Sequence, residues 1–150
     1  MSILLKDGHF DPYAEVRRFT DMHFPMPGAY GATAMFVGTM RDYNEGSVVR
    51  GLTLEHYPGM TERHLEVICG EATQRWSLLA ALIVHRIGEV QPGEDIVLVA
   101  AWSAHRAEAF DACRFMMEDL KSKAPFWKKE RLEAGARWVS YNTAGTTELT

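Results

Sequence analysis

Two apolar segments flanking Pro92-Gly93 place the strongest constraint on this fold. Leu79 to Ile87 and Asp95 to Trp102 are dominated by aliphatic and small residues, and a Pro-Gly turn signal between two such runs predicts an antiparallel pair of strands. The longest apolar run, Leu78 to Val84, stops at His85 and Arg86, well short of the roughly 18 to 20 residues a membrane span needs.

Other segments fall around this pair. Asp11-Pro12 suits a helix start, because Asp caps free amides and Pro at the first helical position loses no needed hydrogen bond; Tyr13, Val16 and Phe19 then mark one face. Gly31 to Thr39 reads as a strand that ends in a polar, turn-like and mobile loop at Arg41-Asp42-Tyr43-Asn44-Glu45-Gly46. Gly51 to Tyr57 alternates like a strand and is stopped by Pro58-Gly59. A helix carrying Leu65, Ile68, Cys69, Ala72 and Trp76 follows, which places Cys69 on the buried stripe. The last helix runs from about His105 to Ala124, with Phe110, Cys113, Met117, Leu120 and Ala124 toward the core, and Pro125 ends it. Phe126 to Leu132 and Arg137 to Tyr141 read as two short strands around Glu133-Ala134-Gly135. The organisation is therefore one domain over 1–141 with sheet and helices interleaved, then a polar tail, 142–150, that is expected to fray. At 150 residues the chain has room for one domain with a real core.

Charge narrows the function classes. The net charge of -4 has the wrong sign for holding a nucleic-acid backbone, and no aromatic-basic strand motif of RNA-binding domains is present. Yet Lys121, Lys123, Lys128, Lys129 and Arg131 face only Glu130 within eleven residues, so a local window of +4 sits on a body of -8. Cys69 and Cys113 stand 44 positions apart without a CxxC partner, too sparse for a disulfide framework or a zinc site, and both are expected to be buried thiols. His56, His64 and His85 show no metal-ligand spacing, and no GxSxG motif is present. Met1 to Phe10 lacks the apolar core of a secretory signal, so a cytoplasmic location is expected.

Two constellations carry candidate chemistry. Ser103-Ala104-His105-Arg106 lies where a strand gives way to a helix, with Ser103 as N-cap; two cationic side chains in the first turn oppose the helix dipole, and an anion such as phosphate would relieve the conflict. The plainer reading, in which Glu108 and solvent cover the conflict and His105 merely packs, stands level with it. The second constellation is Lys121, Lys123, Lys128 and Lys129 around Ala124-Pro125-Phe126-Trp127. Lysines in the last turn of a helix commonly lie in water, and on local pattern alone that reading leads. The chemical alternative is that Pro125 turns the chain so that Lys121 and Lys128 converge beside aromatic walls, where a lysine of lowered pKa could move protons or act as a nucleophile. Arg41 alone reads as a solvated charge. On one straight helix His105 and Lys121 would be about 24 Å apart, so there are either two sites or one composite site shared between chains of a symmetric dimer.

Five separated motifs then carry a resemblance: Phe36-Val37-Gly38-Thr39-Met40-Arg41, Leu52-Thr53-Leu54-Glu55-His56-Tyr57-Pro58-Gly59-Met60, His85-Arg86-Ile87-Gly88, Ser103-Ala104-His105-Arg106, and Lys121 through Lys129. In this order, over about residues 3 to 141, the sequence resembles the MoaE family, the large catalytic subunits of molybdopterin synthase. The resemblance implies an α+β fold of the α/β-hammerhead type with a mostly antiparallel sheet. It implies a central homodimer with a small ubiquitin-like sulfur-carrier subunit at each end, making a heterotetramer. The implied reaction converts cyclic pyranopterin monophosphate, precursor Z, into molybdopterin, with both sulfurs delivered from the carrier's C-terminal Gly-Gly thiocarboxylate and no cofactor, metal, membrane or nucleic acid involved.

Carried over by position, the substrate pocket falls on Arg41, His105, Arg106, Lys121 and Lys128, with Lys129 and Glu130 adjoining, and Thr39 and Met40 are counted with these as substrate-binding residues. Arg41, His105 and Arg106 would hold phosphate, Lys121 would act near the carbon that accepts sulfur, and Lys128 would steady the pterin or the carrier's tail; the catalytic pair is Lys121 and Lys128. Phe126 and Trp127 would form pocket wall or core. One departure is visible: Thr39 stands where family members often carry lysine, so any contact there must use its backbone or hydroxyl. The competing reading is a non-catalytic protein that binds an anionic metabolite or acidic partner through the same cations.

Overall fold

The computed structural model describes residues 2–44, 46–132 and 135–139. In chain order they form β1 (Ser2–Lys6), α1 (Pro12–His23), β2 (Ala32–Thr39), β3 (Tyr43–Asn44), β4 (Ser47–His56), α2 (Met60–Trp76), β5 (Ala80–Arg86), β6 (Gly88–Val90), β7 (Asp95–Ser103), α3 (Arg106–Lys123), β8 (Phe126–Leu132) and β9 (Gly135–Trp138). The predicted pair is present: β5 and β7 run antiparallel, from Ala80 opposite Trp102 to His85 opposite Val97. They are the two inner strands of a four-stranded sheet ordered β1-β5-β7-β2, in which only the β1–β5 ladder is parallel.

Alternation along the inner strands explains why they are apolar at nearly every position, since a strand covered on both faces has no wet side. Ala80, Leu82, Val84, Leu98, Ala100 and Trp102 face one cluster with Phe10 and with Phe19 of α1. Ala81, Ile83, Val97, Val99 and Ala101 face the other, with Leu65, Ile68 and Cys69 of α2 and Ala112, Cys113 and Met116 of α3. The sheet is thus sandwiched, and His85, odd-numbered like Ala81 and Ile83, is carried to the α2–α3 side.

A second sheet runs β3-β4-β8-β9, with β6 also paired to β4. In the β4–β8 ladder Leu52, Leu54 and His56 lie opposite Glu130, Lys128 and Phe126, which places those three β8 residues on one face and Trp127 and Lys129 on the other. The two sheets and three helices make a mixed α+β domain in which all strand pairs but one are antiparallel.

Several local expectations are corrected. Tyr13 is 68% exposed; α1 instead buries Pro12, Glu15 and Phe19, and Asp11 caps it by accepting the Tyr13 and Ala14 N–H groups. Phe110 is 67% exposed, because the α3 stripe runs through Ala109, Ala112, Cys113, Met116, Met117 and Leu120, one step round the helix. The turn-like loop after Thr39 holds strand β3, closed by Val49 N–H donating to the Asp42 carbonyl at 2.8 Å. Ser103 does not cap α3: its hydroxyl donates to the His105 carbonyl at 2.6 Å, and His105 occupies the cap position with extended backbone. The final strand spans Gly135–Trp138; Glu133, Ala134, Tyr141 and the tail 142–150 lie outside the described residues.

Candidate active site

Pro125 cannot continue α3, and the chain leaves the helix there as β8. Ala124 N–H closes the helix on the Leu120 carbonyl at 3.2 Å, and Phe126 N–H reaches back to the Ala124 carbonyl at 2.9 Å. The corner is so tight that Lys121, in the last helical turn, and Lys128, on the inward face of the strand, come together. They line a small cavity with Leu120, Ala124, Phe126 and His85. Its free space is about 20 Å³, wide enough for a group the size of a water molecule.

Bringing two ammonium groups to one partly dry place disfavours charging both. Burial, then the charge and hydrogen bond of Lys121, lower the Lys128 ammonium to about 7, while the Glu130 carboxylate works against that shift. An amine that gains and loses its proton near neutrality suits general acid-base chemistry, which an ordinary surface lysine does not.

His85 forms the inner wall. It is 1% exposed and stacks on Phe126 with ring centroids 3.9 Å apart and planes 14° apart. Its Nδ1 lies 2.7 Å from the Arg86 carbonyl; a carbonyl only accepts, so the bond assigns the ring proton to Nδ1. Burial, with Lys121 and Lys128 nearby, lowers the imidazole to about 3, against the bond to Arg86, so the ring is neutral. In the sequence His85 lacks metal-ligand spacing and stands in one of the five motifs that carry the resemblance, with no site role of its own. The signal that could have found it is its odd parity on β5, which directs it toward the same core face as α3.

Glu130 is on the inward face of β8 but is spoken for. It is 6% exposed and accepts from Arg137 Nε and Asn44 Nδ2, both at 2.9 Å. Lys129 lies on the opposite face, with its Nζ 5.5 Å from the Trp138 ring centroid. Trp127 is on that outer face too, edge-on to Tyr57 at 4.7 Å, so of the two aromatic residues only Phe126 is cavity wall.

The remaining predicted site residues divide by position along β7. Thr39 lies opposite Asp95 and donates its hydroxyl to Asp95 Oδ1 at 2.8 Å. Met40 is buried, its N–H bonded to Glu94 and its carbonyl to Gly93, both at 2.9 Å, and exposed Arg41 follows. Ala32, at the other end of β2, lies opposite Ser103, where exposed His105 and Arg106 begin α3. Gly31 packs against this turn so closely that an added Cβ would meet the Ala104 carbonyl at 2.1 Å. The helix α3 doubles back along β7, as the contact of Cys113 Sγ with the Val99 carbonyl at 3.6 Å shows. Within one chain, then, Arg41 shares an end of the sandwich with Lys121 and Lys128, while His105 and Arg106 are a helix length away, about 24 Å.

Among the described residues no group of three or more His, Cys, Asp and Glu side chains is placed to hold a metal ion, and no described helix is long and apolar enough to cross a membrane.

Fold and site together define an α+β protein with an ionisable lysine pair at a helix-strand corner and a separate cationic helix start. The family model described as MoaE protein matches residues 6–123. The molybdopterin synthase catalytic subunit of Pseudomonas aeruginosa is 52% identical over 139 residues, covering 93% of this chain and 90% of that one. Among solved structures, a molybdopterin biosynthesis MoaE protein from Burkholderia ambifaria matches with a TM-score of 0.78 and 43% identity over 96% of this chain and 93% of its own. Molybdopterin synthase from Staphylococcus aureus matches with a TM-score of 0.80 and 32% identity over 93% and 96%. The chain belongs to the MoaE family of molybdopterin synthase catalytic subunits, enzymes of molybdenum cofactor biosynthesis.

Proposed function

We propose that Lys121 and Lys128 are the catalytic pair for sulfur transfer from a carrier thiocarboxylate to a cyclic pyranopterin monophosphate, giving molybdopterin. The observation that carries this reading is the convergence of the two lysines on one narrow cavity, with Lys128 lowered to about 7. Negative charge develops on sulfur and oxygen during the transfer, and preorganised cations in a dry site stabilise it. Lys121 acts at the carbon that accepts sulfur, as acid-base or electrostatic catalyst. Lys128 steadies the pterin or the carrier's tail, and its lowered pKa lets it exchange a proton at neutral pH.

The cavity has room for no more than a terminal group and none for a bicyclic pterin, which supports a reading in which the Gly-Gly tail of a small ubiquitin-like subunit reaches it with its last atoms only and the pterin lies at its mouth. A phosphate would need more cations than this corner holds: Arg41 lies at the same end, and His105 and Arg106 of a second copy complete the set across a two-fold axis. The active assembly is therefore proposed to be a homodimer flanked by two carriers, working in the cytoplasm, where a thiocarboxylate meets reducing conditions. Glu130 supports this pocket from the inward face of β8 and Thr39 and Met40 support the strand end before Arg41, while Lys129, on the opposite face of β8 beside Trp138, is left outside it.

The test is reconstitution from purified chain, thiocarboxylated carrier and precursor Z, followed by assay of dithiolene pterin. Product should require both proteins, and Lys121→Ala should depress turnover far more than substrate binding. Unchanged turnover in Lys121→Ala would remove its assigned role. An intact complex that makes no product would favour a binding protein.

A further inference from the structure

Thr61, in the first turn of α2, is wholly buried at 0% exposure. Its hydroxyl accepts the Tyr57 N–H at 3.0 Å and donates to the Pro125 carbonyl at 3.0 Å, 64 positions away. As the second residue of α2, Thr61 has no carbonyl of its own helix one turn back to take its hydroxyl proton, which goes to another element instead. Capping does not require Thr61 either, since Glu62 already accepts the Gly59 N–H at 3.0 Å. The one distant group it holds is the carbonyl at the corner between α3 and β8.

That corner sets the distance between the two lysines, because Lys121 precedes Pro125 by four residues and Lys128 follows it by three. Repulsion between two ammonium groups pushes such a corner open. We propose that Thr61 is a positioning residue for the lysine pair: by tying the Pro125 carbonyl to the start of α2 it fixes the corner that keeps Lys121 and Lys128 together. Its consequence for turnover rests on the function proposed above; the geometric part does not. The groups that face Lys128 are Lys121 from α3, His85 from β5 and Glu130 from its own strand, while β4 places uncharged Leu54 opposite it. Opening the corner removes a like charge and admits water, and both changes favour the protonated amine.

The experiment is an NMR titration of lysine side chains labelled at Cε, with Lys128 assigned from the spectrum of Lys128→Arg, in wild type, Thr61→Val and Thr61→Ser. Wild type should titrate Lys128 near 7. Thr61→Val, which loses both hydrogen bonds at nearly equal volume, should raise the midpoint by about one unit, a tenfold change in ionisation, and Thr61→Ser should restore it. Turnover at pH 7 should fall by about tenfold in Thr61→Val with KM for the carrier within about twofold, a split expected when transition-state interactions are lost. If Thr61→Val does not fold, Thr61→Ala takes its place. A folded variant without the hydroxyl that still titrates Lys128 at the wild-type midpoint overturns the proposal. Wild type without turnover would overturn the proposed function, while the titration would still decide the role of Thr61.

Discussion

His85 lies flat on Phe126, with ring centroids 3.9 Å apart, and its Nδ1–H is held by the carbonyl of Arg86. Burial, with Lys121 and Lys128 nearby, makes the ring titrate far below a free histidine, against the opposing effect of the Arg86 carbonyl. In the folded chain it stays neutral down to about 3, whereas the unfolded chain takes up a proton near 6.5. Between those values the unfolded state binds more protons, so stability must fall as pH falls, by about 1.4 kcal/mol per pH unit through this residue. Urea unfolding at pH 6.5, 5.5 and 4.5 should show this slope in wild type and a shallower one in His85→Phe. Equal slopes would show that His85 takes up its proton in the folded protein as readily as in the unfolded chain.

Glu130 connects the site to the β3 and β9 strands. Removing its carboxylate in Glu130→Ala leaves Arg137 Nε and Asn44 Nδ2 without their acceptor. The expected cost is about 2 to 3 kcal/mol, the range for a partner lost from a largely buried charged pair. A thermal melt should show a drop of several degrees, and Lys128 should titrate lower still, because the Glu130 carboxylate that favours its charge is gone. An unchanged melting temperature would count against the clamp.

The proposal that the site is shared between two copies makes a stoichiometric prediction. Lys121→Ala and His105→Ala chains, each inactive alone, should regain activity when co-refolded: half the dimers are mixed, each mixed dimer has one intact site, and about a quarter of wild-type activity returns. No recovery from a verified mixed dimer would place the whole site within one chain.

The two cysteines should be silent in the native state. Burial pushes the Cys69 thiol up to about 12 and the Cys113 thiol up to about 11, so neither supplies thiolate at neutral pH. An aromatic disulfide reagent should count no thiols in the folded protein and two after denaturation. Rapid reaction of either in the native protein would contradict its packing.

Much of this was legible in the sequence because it follows from local rules. Apolar runs on either side of Pro92-Gly93 mark β5 and β7, alternation marks β4, helical spacing marks α2 and α3, and Pro125 marks the corner. Tyr13 and Phe110 were misread because hydrophobicity marks what could be buried, while the neighbouring element decides which face is. β3 and β6 escaped because a strand of two or three residues is defined by its partner β4 and hardly at all by its own composition. His85 was hidden for a related reason: its importance comes from Phe126, forty-one positions away, and only pairing of the sheets brings them together.

The alternation along β8 has a consequence for how this gene can change. Phe126, Lys128 and Glu130 face inward only because the strand is laid against β4 in one register. Deleting or inserting a single codon between Pro125 and Lys128 would turn the strand over, offering an indole or the wrong lysine to the cavity while leaving the composition almost untouched. Point mutations can drift through this segment, and its length cannot; the count of residues there is as much a part of the chemistry as the lysines themselves.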